Sequence, residues 1–398
     1  MTLLLYFAIF YTVVIFFLVV GLLKRSSLHK NISRLCEKNV SNPTIHIAVI
    51  IACKNEEQNI EKLINSLKDQ SYSKDSYDVI LADDTSTDAT AEKIKHCIED
   101  WDNFHYLYVD QNLFPDLKGK KKAISYAVDY LLNNFKIPFS KDNKILAFTD
   151  ADCTPEKDWL LDINHAFING CDFYAGFSPI INNIEAKKDK EKLSLGKRLA
   201  INLKKLERAS IFAVSAGSFG LGIPLTCTAR NIAYKLSIWL KTEGFKGIGH
   251  ILSGDDDLML HKSRHFIDKY YFSFNPNAFV YTNEEMNLSK YINQETRRTS
   301  KFFHYPLYIK LLIFSVAIFY FILMYNIIIS IIFRYFHLDL FVSLILKILI
   351  EFTLLTIFLI KVKHFNYLWC FLIAELLYLP YFIFFGLKGT LGKYKWKN

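Results

Sequence analysis

From Thr2 to Leu23 the chain carries no charged side chain. A helix of about 20 apolar residues crosses the hydrocarbon core of a bilayer, roughly 30 Å thick. This run therefore restricts the chain to architectures that place one helix in lipid. Lys24 and Arg25 close it, and His29, Lys30 and Arg34 follow. A signal peptide has its charges before the apolar run and a small-residue cleavage site after it. Neither is present, so the run reads as a retained anchor, and its basic flank places the next domain in the cytoplasm.

Three more apolar stretches, roughly 311–333, 340–360 and 367–386, lie near the other end. The second carries Lys347 and Glu351, spaced to pair along one helix face. Such a pair lessens the cost of charge in lipid; a helix lying partly in the interface is the alternative. The third holds Glu375 and Pro380 and reads as kinked or re-entrant. One span followed by three puts the tail on the far side, yet Lys388, Lys393, Lys395 and Lys397 favour the cytoplasm. Either one stretch does not span or the tail departs from the rule.

The net charge of +9 suits a protein lying on an anionic membrane surface, and with these spans nucleic acid is not an expected partner. The seven cysteines form no C-x-x-C pair and are odd in number. A reduced compartment fits them, and neither a disulfide framework nor a zinc site is indicated.

The polar middle alternates strands and helices. Residues 45–52 are a continuous Ile/Val-rich run, the pattern of a strand buried on both faces of a parallel sheet. Asn55 reads as a helix N-cap, with Gln58 three residues on, and Ile60, Leu63, Ile64 and Leu67 recur at helical spacing. Further strands are expected at 77–82, 105–109 and 144–148, with helices at 90–98 and 121–132. The alternation predicts an α/β, doubly wound domain. Ligands in such sheets bind beyond the carboxyl ends of the strands, where Lys54-Asn55-Glu56, Asp83-Asp84 and Asp150-Ala151-Asp152 fall. Residues 187–192 are charge-dense and lead into a helix that should end before residues 217–224.

Two carboxylates at 150 and 152 can converge on a hard cation, since magnesium and manganese take oxygen ligands and usually one or two carboxylates plus substrate phosphates. Asp83-Asp84 serves either turn and capping chemistry, with Thr87 or Asp88 capping the next helix, or a ligand that uses adjacent charges. Asp255-Asp256-Asp257 exceeds what a helix start requires, at roughly 0.3–1 kcal/mol per charge, and offers a general base. Arg297 has the forked geometry to clamp a diphosphate, whereas Lys301 and Lys310 read as basic membrane flanks. In Lys118-Gly119-Lys120-Lys121-Lys122 the glycine lets backbone approach a phosphate, and most of the lysines read as solvated.

In this order the segments resemble the family 2 glycosyltransferases of the GT-A fold, especially the membrane-integrated branch of hyaluronan and cellulose synthases and ceramide glucosyltransferases. The likeness runs from about Ile45 to Lys301. It rests on residues 52–57, 83–88, 119–120, 149–152, 230–234, 254–258 and 294–297. The resemblance implies a Rossmann-like, doubly wound mixed sheet, cytoplasmic and flanked by transmembrane helices. It implies an inverting hexosyl transfer from a nucleotide-sugar, UDP-linked, to a lipid-linked or saccharide acceptor, with Mg2+ or Mn2+. Glu56, Asp83 and Asp84 would hold base and ribose, and Lys120 would lie near the nucleotide or its phosphates. Asp150 and Asp152 would meet diphosphate and metal, Asp152 being the more direct ligand. Asp256 would be the catalytic base, with Asp255 the alternative because three Asp in a row leave the register open by one. Gln294 and Arg297 fall on the family's Q-x-x-R-W motif, but Arg298 stands where the tryptophan belongs. Arginine lacks that apolar face, which turns the expectation from a processive, product-extruding synthase toward single transfer. A non-catalytic scaffold and a sugar nucleotidyltransferase are the remaining rivals; the chain lacks the latter's glycine- and arginine-rich phosphate loop.

The expected division is an anchor at 1–24, a basic linker at 25–43, a nucleotide-sugar half at 44–170, an acceptor half at 171–308, membrane segments at 309–388 and a basic tail at 389–398. The expected location is an integral protein of a bacterial inner (plasma) membrane, contacting membrane lipids.

Overall fold

The computed structural model describes residues 2–36, 45–134, 144–181, 194–283 and 288–391. Residues 37–43 of the basic linker, the charged stretch 187–192, and Lys393, Lys395 and Lys397 of the tail lie outside them. The chain divides into two compact units. One comprises residues 25–187 and 226–284, the other residues 1–24, 188–225 and 285–398. Residues 188–225, assigned from sequence to the acceptor half, thus group with the apolar helices.

The first unit is built on the expected strands. β1 (His46–Cys53), β2 (Tyr77–Asp83), β3 (Phe104–Tyr108) and β4 (Lys144–Phe148) pair in parallel in the order β3-β2-β1-β4. On one face, Ile47, Val49 and Ile51 pack in a common core with Ile60, Leu63, Ile64 and Leu67 of α2 (Ile60–Lys68), Ile94 of α3 (Thr90–Ile98), and Trp159 and Ile163 of α5 (Trp159–Ile168). Between α3 and α5 in the chain, α4 (Lys120–Asn134) contacts β1 and β2. Strands covered by helices in this way need apolar residues throughout.

The sheet continues as β4-β8-β6-β9 through β6 (Phe173–Gly176), β8 (Ile232–Lys235) and β9 (Tyr270–Ser273). β8 is antiparallel to both neighbours, so the sheet is mixed. A smaller sheet joins β5 (Cys153–Pro155), β10 (Val280–Asn283) and β7 (Ile180–Ile181) in the order β5-β10-β7.

Among its described residues, the second unit contains α6 (Leu195–Leu221), α9 (Leu288–Thr299) and four helical segments long and apolar enough to cross a membrane. These are Leu3–Lys24 of α1 (Leu3–Cys36), Leu307–Phe333 (α10), Leu338–Lys361 (α11), and Phe365–Gly389, which includes most of α12 (Phe371–Leu391). The Lys347–Glu351 pair is formed at 3.0 Å, and Lys347 also meets Glu375 of α12. Lys347 is buried, and its charge is matched inside the helix packing. α12 continues through Pro380 without a re-entrant break.

α6 runs on through Gly217 and Gly220, where the sequence predicted its end. It stops at Gly222, whose φ of +78° is the left-handed conformation of a helix C-cap. The internal glycines are explained by α1. A Cβ on Gly217 would lie 2.5 Å from the carbonyl oxygen of Leu18, and one on Gly220 would lie 1.9 Å from that of Gly21. Small residues at such a contact let two backbones approach.

Labels α7 (Leu236–Lys241) and α8 (Asp257–Ser263) belong to the sheet unit.

Candidate active site

Parallel register brings the ends of β1 and β2 together, with Cys53 opposite Asp83. The two following loops are tied to each other. Asp84 N–H donates to the Cys53 carbonyl at 2.8 Å, Asn55 N–H to Ser86 Oγ at 3.0 Å, and Thr87 N–H to Asn55 Oδ1 at 2.8 Å. Asn55 is therefore not a helix cap. It sits at φ +52°, and α2 begins only at Ile60 with Asn59 in the cap position. Thr85 has φ +59°, unusual for a β-branched residue and a form of backbone strain that clusters at ligand sites.

The cross-tied loops fix three expected residues. Asp83 is buried and accepts from Ser86 N–H at 2.9 Å and Tyr106 O–H at 3.0 Å. Burial, followed by the Asp83 charge, pushes the Tyr106 hydroxyl up to about 12. Asp84 accepts from Gln111 Nε2 at 3.0 Å and lies 3.8 Å from Lys54 Nζ. Glu56 takes Asn59 Nδ2 at 2.9 Å.

A second group gathers beyond β4. Lys120, the first residue of α4, pairs with Asp150. Because β8 runs antiparallel with Ile232 opposite Phe148, Arg230, two residues before the strand, arrives at the same end, with Nε 3.5 Å from Asp150 Oδ2. Burial works against the Asp150 charge, but Lys120 and Arg230 outweigh it and hold the carboxyl below its ordinary range. Burial likewise opposes the Lys120 ammonium, yet Asp150, Asp255 and Asp152 keep it firmly protonated.

Asp256 caps α8, its Oδ1 accepting from Asp257 N–H at 2.7 Å and its Oδ2 from Ala229 N–H at 3.3 Å. Asp255 is the carboxyl pushed upward, first by burial and then by Asp256, with Asp150 adding to it. Asp150, Asp152, Asp255 and Asp256 thus share one electrostatic neighbourhood with Lys120 and Arg230. Four carboxylates against two cations leave an excess of negative charge that a divalent ion would neutralise. Ligand atoms of Asp150, Asp152 and Cys153 lie within 4.8 Å of one another. The Cys153 thiol is pushed well above its usual range by burial and by Asp152 and Asp150, so the donors suited to a hard cation are the two carboxylates. Asp150 is already engaged by Lys120 and Arg230.

Two residues here were missed from sequence. Arg230 lies in a stretch used for the resemblance, but its approach to Asp150 depends on a non-local strand pairing. Lys121, in a run whose lysines were mostly expected to be solvated, is 1% exposed. Its Nζ donates to the carbonyls of Ile248, Ile251 and Ser253 at 3.0, 2.6 and 2.8 Å, tying down the loop that leads to Asp255 and Asp256. No signal within a run of four lysines and a glycine distinguishes it.

Gln294 and Arg297 are on α9, in the helical unit. Beside them Arg298 bonds Glu295 at 2.9 Å and Glu207 of α6 at 3.3 Å, so its guanidinium is an internal clamp of that unit.

Residues 48–219 match the model of the family described as "Glycosyl transferase family 2". A curated relative, glycosyltransferase AglE of Haloferax volcanii, is 31% identical over 114 residues, covering 29% of this chain and 33% of that protein. The chain thus matches about a third of the relative's length. Among solved structures, mannosyltransferase PcManGT from Pyrobaculum calidifontis in complex with GDP-Man and Mn2+ is 15% identical, with 98% of this chain and 99% of that one covered and a TM-score of 0.48. TarS 1–349 of S. aureus in complex with UDP is 16% identical, with 69% and 70% covered and a TM-score of 0.41.

Proposed function

Because residues 48–219 match the model of the family described as "Glycosyl transferase family 2", we propose that the chain is an integral membrane enzyme that transfers a hexose, with inversion, from a nucleotide-diphospho-sugar to a lipid-linked or saccharide acceptor at the cytoplasmic face. The observation that carries this reading is the gathering of Asp150, Asp152, Asp255 and Asp256 with Lys120 and Arg230 at one end of the sheet.

Glu56, Asp83 and Asp84 bind the base and ribose, on loops held rigid by their mutual hydrogen bonds. Lys120 lies near the diphosphate, and Arg230 holds Asp150 ionised and oriented. Asp152, with Asp150, would hold Mg2+ or Mn2+, and the bound ion supplies positive charge to the diphosphate. Asp256 removes the proton from the acceptor hydroxyl. The hydroxyl oxygen forms the new bond to the anomeric carbon as the carbon–oxygen bond to the diphosphate breaks. The nucleoside diphosphate leaves with the bonding electrons, and no covalent glycosyl-enzyme forms. Asp255, whose carboxyl is raised by burial and by Asp256, is the alternative base. The donor contacts of Gln294 and Arg297 rest on the resemblance alone. UDP is the preferred nucleotide on the same ground, as is a bacterial plasma membrane for the location.

The rival reading, a processive synthase, loses support from Arg298, whose guanidinium is engaged by Glu207 and Glu295. Asp256→Asn tests the base. It removes base catalysis, worth about 10²–10⁴-fold, and leaves donor binding intact; unchanged turnover would refute the assignment, and then Asp255→Asn should carry the loss.

A further inference from the structure

The sheet unit holds a cavity of about 580 Å³, walled by α4, α7 and two loop segments, 114–117 and 243–250. Leu117, Val128, Leu132 and Trp239 supply its apolar lining. None of Asp83, Asp150, Asp152, Asp255 and Asp256 is among the lining residues, so the cavity is separate from the candidate active site. The two loops nevertheless lead to that site, one to Lys120 and the other to Asp255. Lys118 N–H joins them by donating to the Gly249 carbonyl at 3.0 Å.

A hydroxyl is left over on its wall. Ser125 of α4 is 7% exposed, lines the cavity, and makes no side-chain hydrogen bond among the described residues. A serine inside a helix can bond back to the preceding turn, and this one does not. A buried polar group without a partner costs stability and calls for a water, an ion or a ligand. The charged and titratable groups on the wall are Asp116, Asp129, Glu243, Lys246 and His250. Glu243 pairs with Lys246. Asp116 and Asp129 have no ion pair among the described residues; Asp129 takes only the Asn133 amide, at 3.1 Å. A carboxylate only accepts hydrogen bonds, an ammonium only donates, and a hydroxyl does either. The wall thus offers acceptors and two uncompensated negative charges above an apolar floor. A ligand that completes it brings an ammonium and an apolar body.

We propose that this cavity binds a small organic ammonium, an amine carried on an apolar ring or chain, and prefers it to neutral and anionic molecules of the same shape. The proposal goes beyond the transfer reaction, because it assigns a second site lined wholly by the sheet unit. It requires neither turnover nor spanning of a membrane.

The test uses the full chain in mild detergent, with tryptamine, tryptophol and indole-3-propionate as probes that share a ring and linker and differ in charge. Equilibrium dialysis reads binding, and a blank of protein-free micelles removes partition into detergent. Tryptamine should bind one-to-one, with Kd of about 0.1–5 mM for so small a ligand. A unit charge about 4 Å from another in water is worth roughly a fivefold change. Two carboxylates should therefore favour tryptamine over tryptophol by about five- to twenty-fivefold, with indole-3-propionate weakest. The double variant Asp116→Asn, Asp129→Asn should cut that preference to about twofold or less and leave tryptophol unchanged; both side chains are exposed, so the fold is kept. Ser125→Ala should weaken tryptamine and tryptophol alike, by about three- to tenfold. Leu132→Trp, which fills the cavity, should abolish binding of both, its thermal midpoint showing that it folds. Equal or tighter binding of indole-3-propionate overturns the proposal. So does a preference that survives the double variant, or no saturable binding of tryptamine to the wild type. Release of nucleoside diphosphate, assayed separately without these probes, decides the transfer reading, so the two can fail independently.

Discussion

Lys121→Met preserves most of the side-chain volume and removes the ammonium that holds the loop before Asp255. Three carbonyls, of Ile248, Ile251 and Ser253, lose their donor. Hydrogen bonds to a charged group contribute about 1.5–3 kcal/mol each, and an unsatisfied buried acceptor costs about 1–3 kcal/mol. These terms are not additive, and the variant recovers the cost of burying a charge. A net loss of about 3–5 kcal/mol is expected, within the range for breaking a buried charged contact. For a unit of this size, about 2–4 °C per kcal/mol, the thermal midpoint of the sheet unit should fall by roughly 6–20 °C. Lys122→Met is the control, since Lys122 Nζ makes one exposed bond, to the Gln111 carbonyl at 3.0 Å. Thermal unfolding in detergent, followed by a probe in the sheet unit, reads both. Equal midpoints for the two variants would show that Lys121 does not organise the loop. At temperatures where Lys121→Met remains folded, kcat should fall more than the affinity for donor, because the loop carries the proposed base.

Asp255→Asn should stabilise the sheet unit at neutral pH. A carboxyl with a folded pKa above its unfolded value costs stability once it ionises, and burial and Asp256 raise Asp255. The gain should therefore grow as pH rises above the unfolded value near 4 and vanish below it; a gain independent of pH contradicts the assignment. Gly217→Ala should cost about 1–3 kcal/mol by overpacking against Leu18 of α1. Gly196→Ala in the same helix, with nothing within 4 Å of its added carbon, should be neutral or stabilising; equal thermal midpoints would refute the close-approach account of Gly217.

The four parallel strands were legible because burial on both faces demands unbroken apolar runs, and β1, β2 and β4 supply them. The acidic and basic clusters follow from those strands, since each lies just past a strand's end. β8 was not legible. It has four residues and lies between β4 and β6, and no local pattern reports a partner 80 residues away. Arg230 was missed for the same reason. Asn55 misled because its side chain suits a helix cap, but its bonds go to the neighbouring loop. Gly217 and Gly220 read as a helix end because their reason for being small is another helix.

The central claim is that this chain moves a sugar from a nucleotide donor by means of the carboxylates beyond β4. Purified protein incubated with UDP-, GDP- and dTDP-linked sugars, with manganese or with chelator, tests it through release of free nucleoside diphosphate. The account predicts release from one donor class, UDP first, lost on chelation and restored by manganese, and lost in Asp152→Asn while the thermal midpoint is kept. Release that survives both chelation and Asp152→Asn, or no release from any donor with acceptor membranes present, would contradict it.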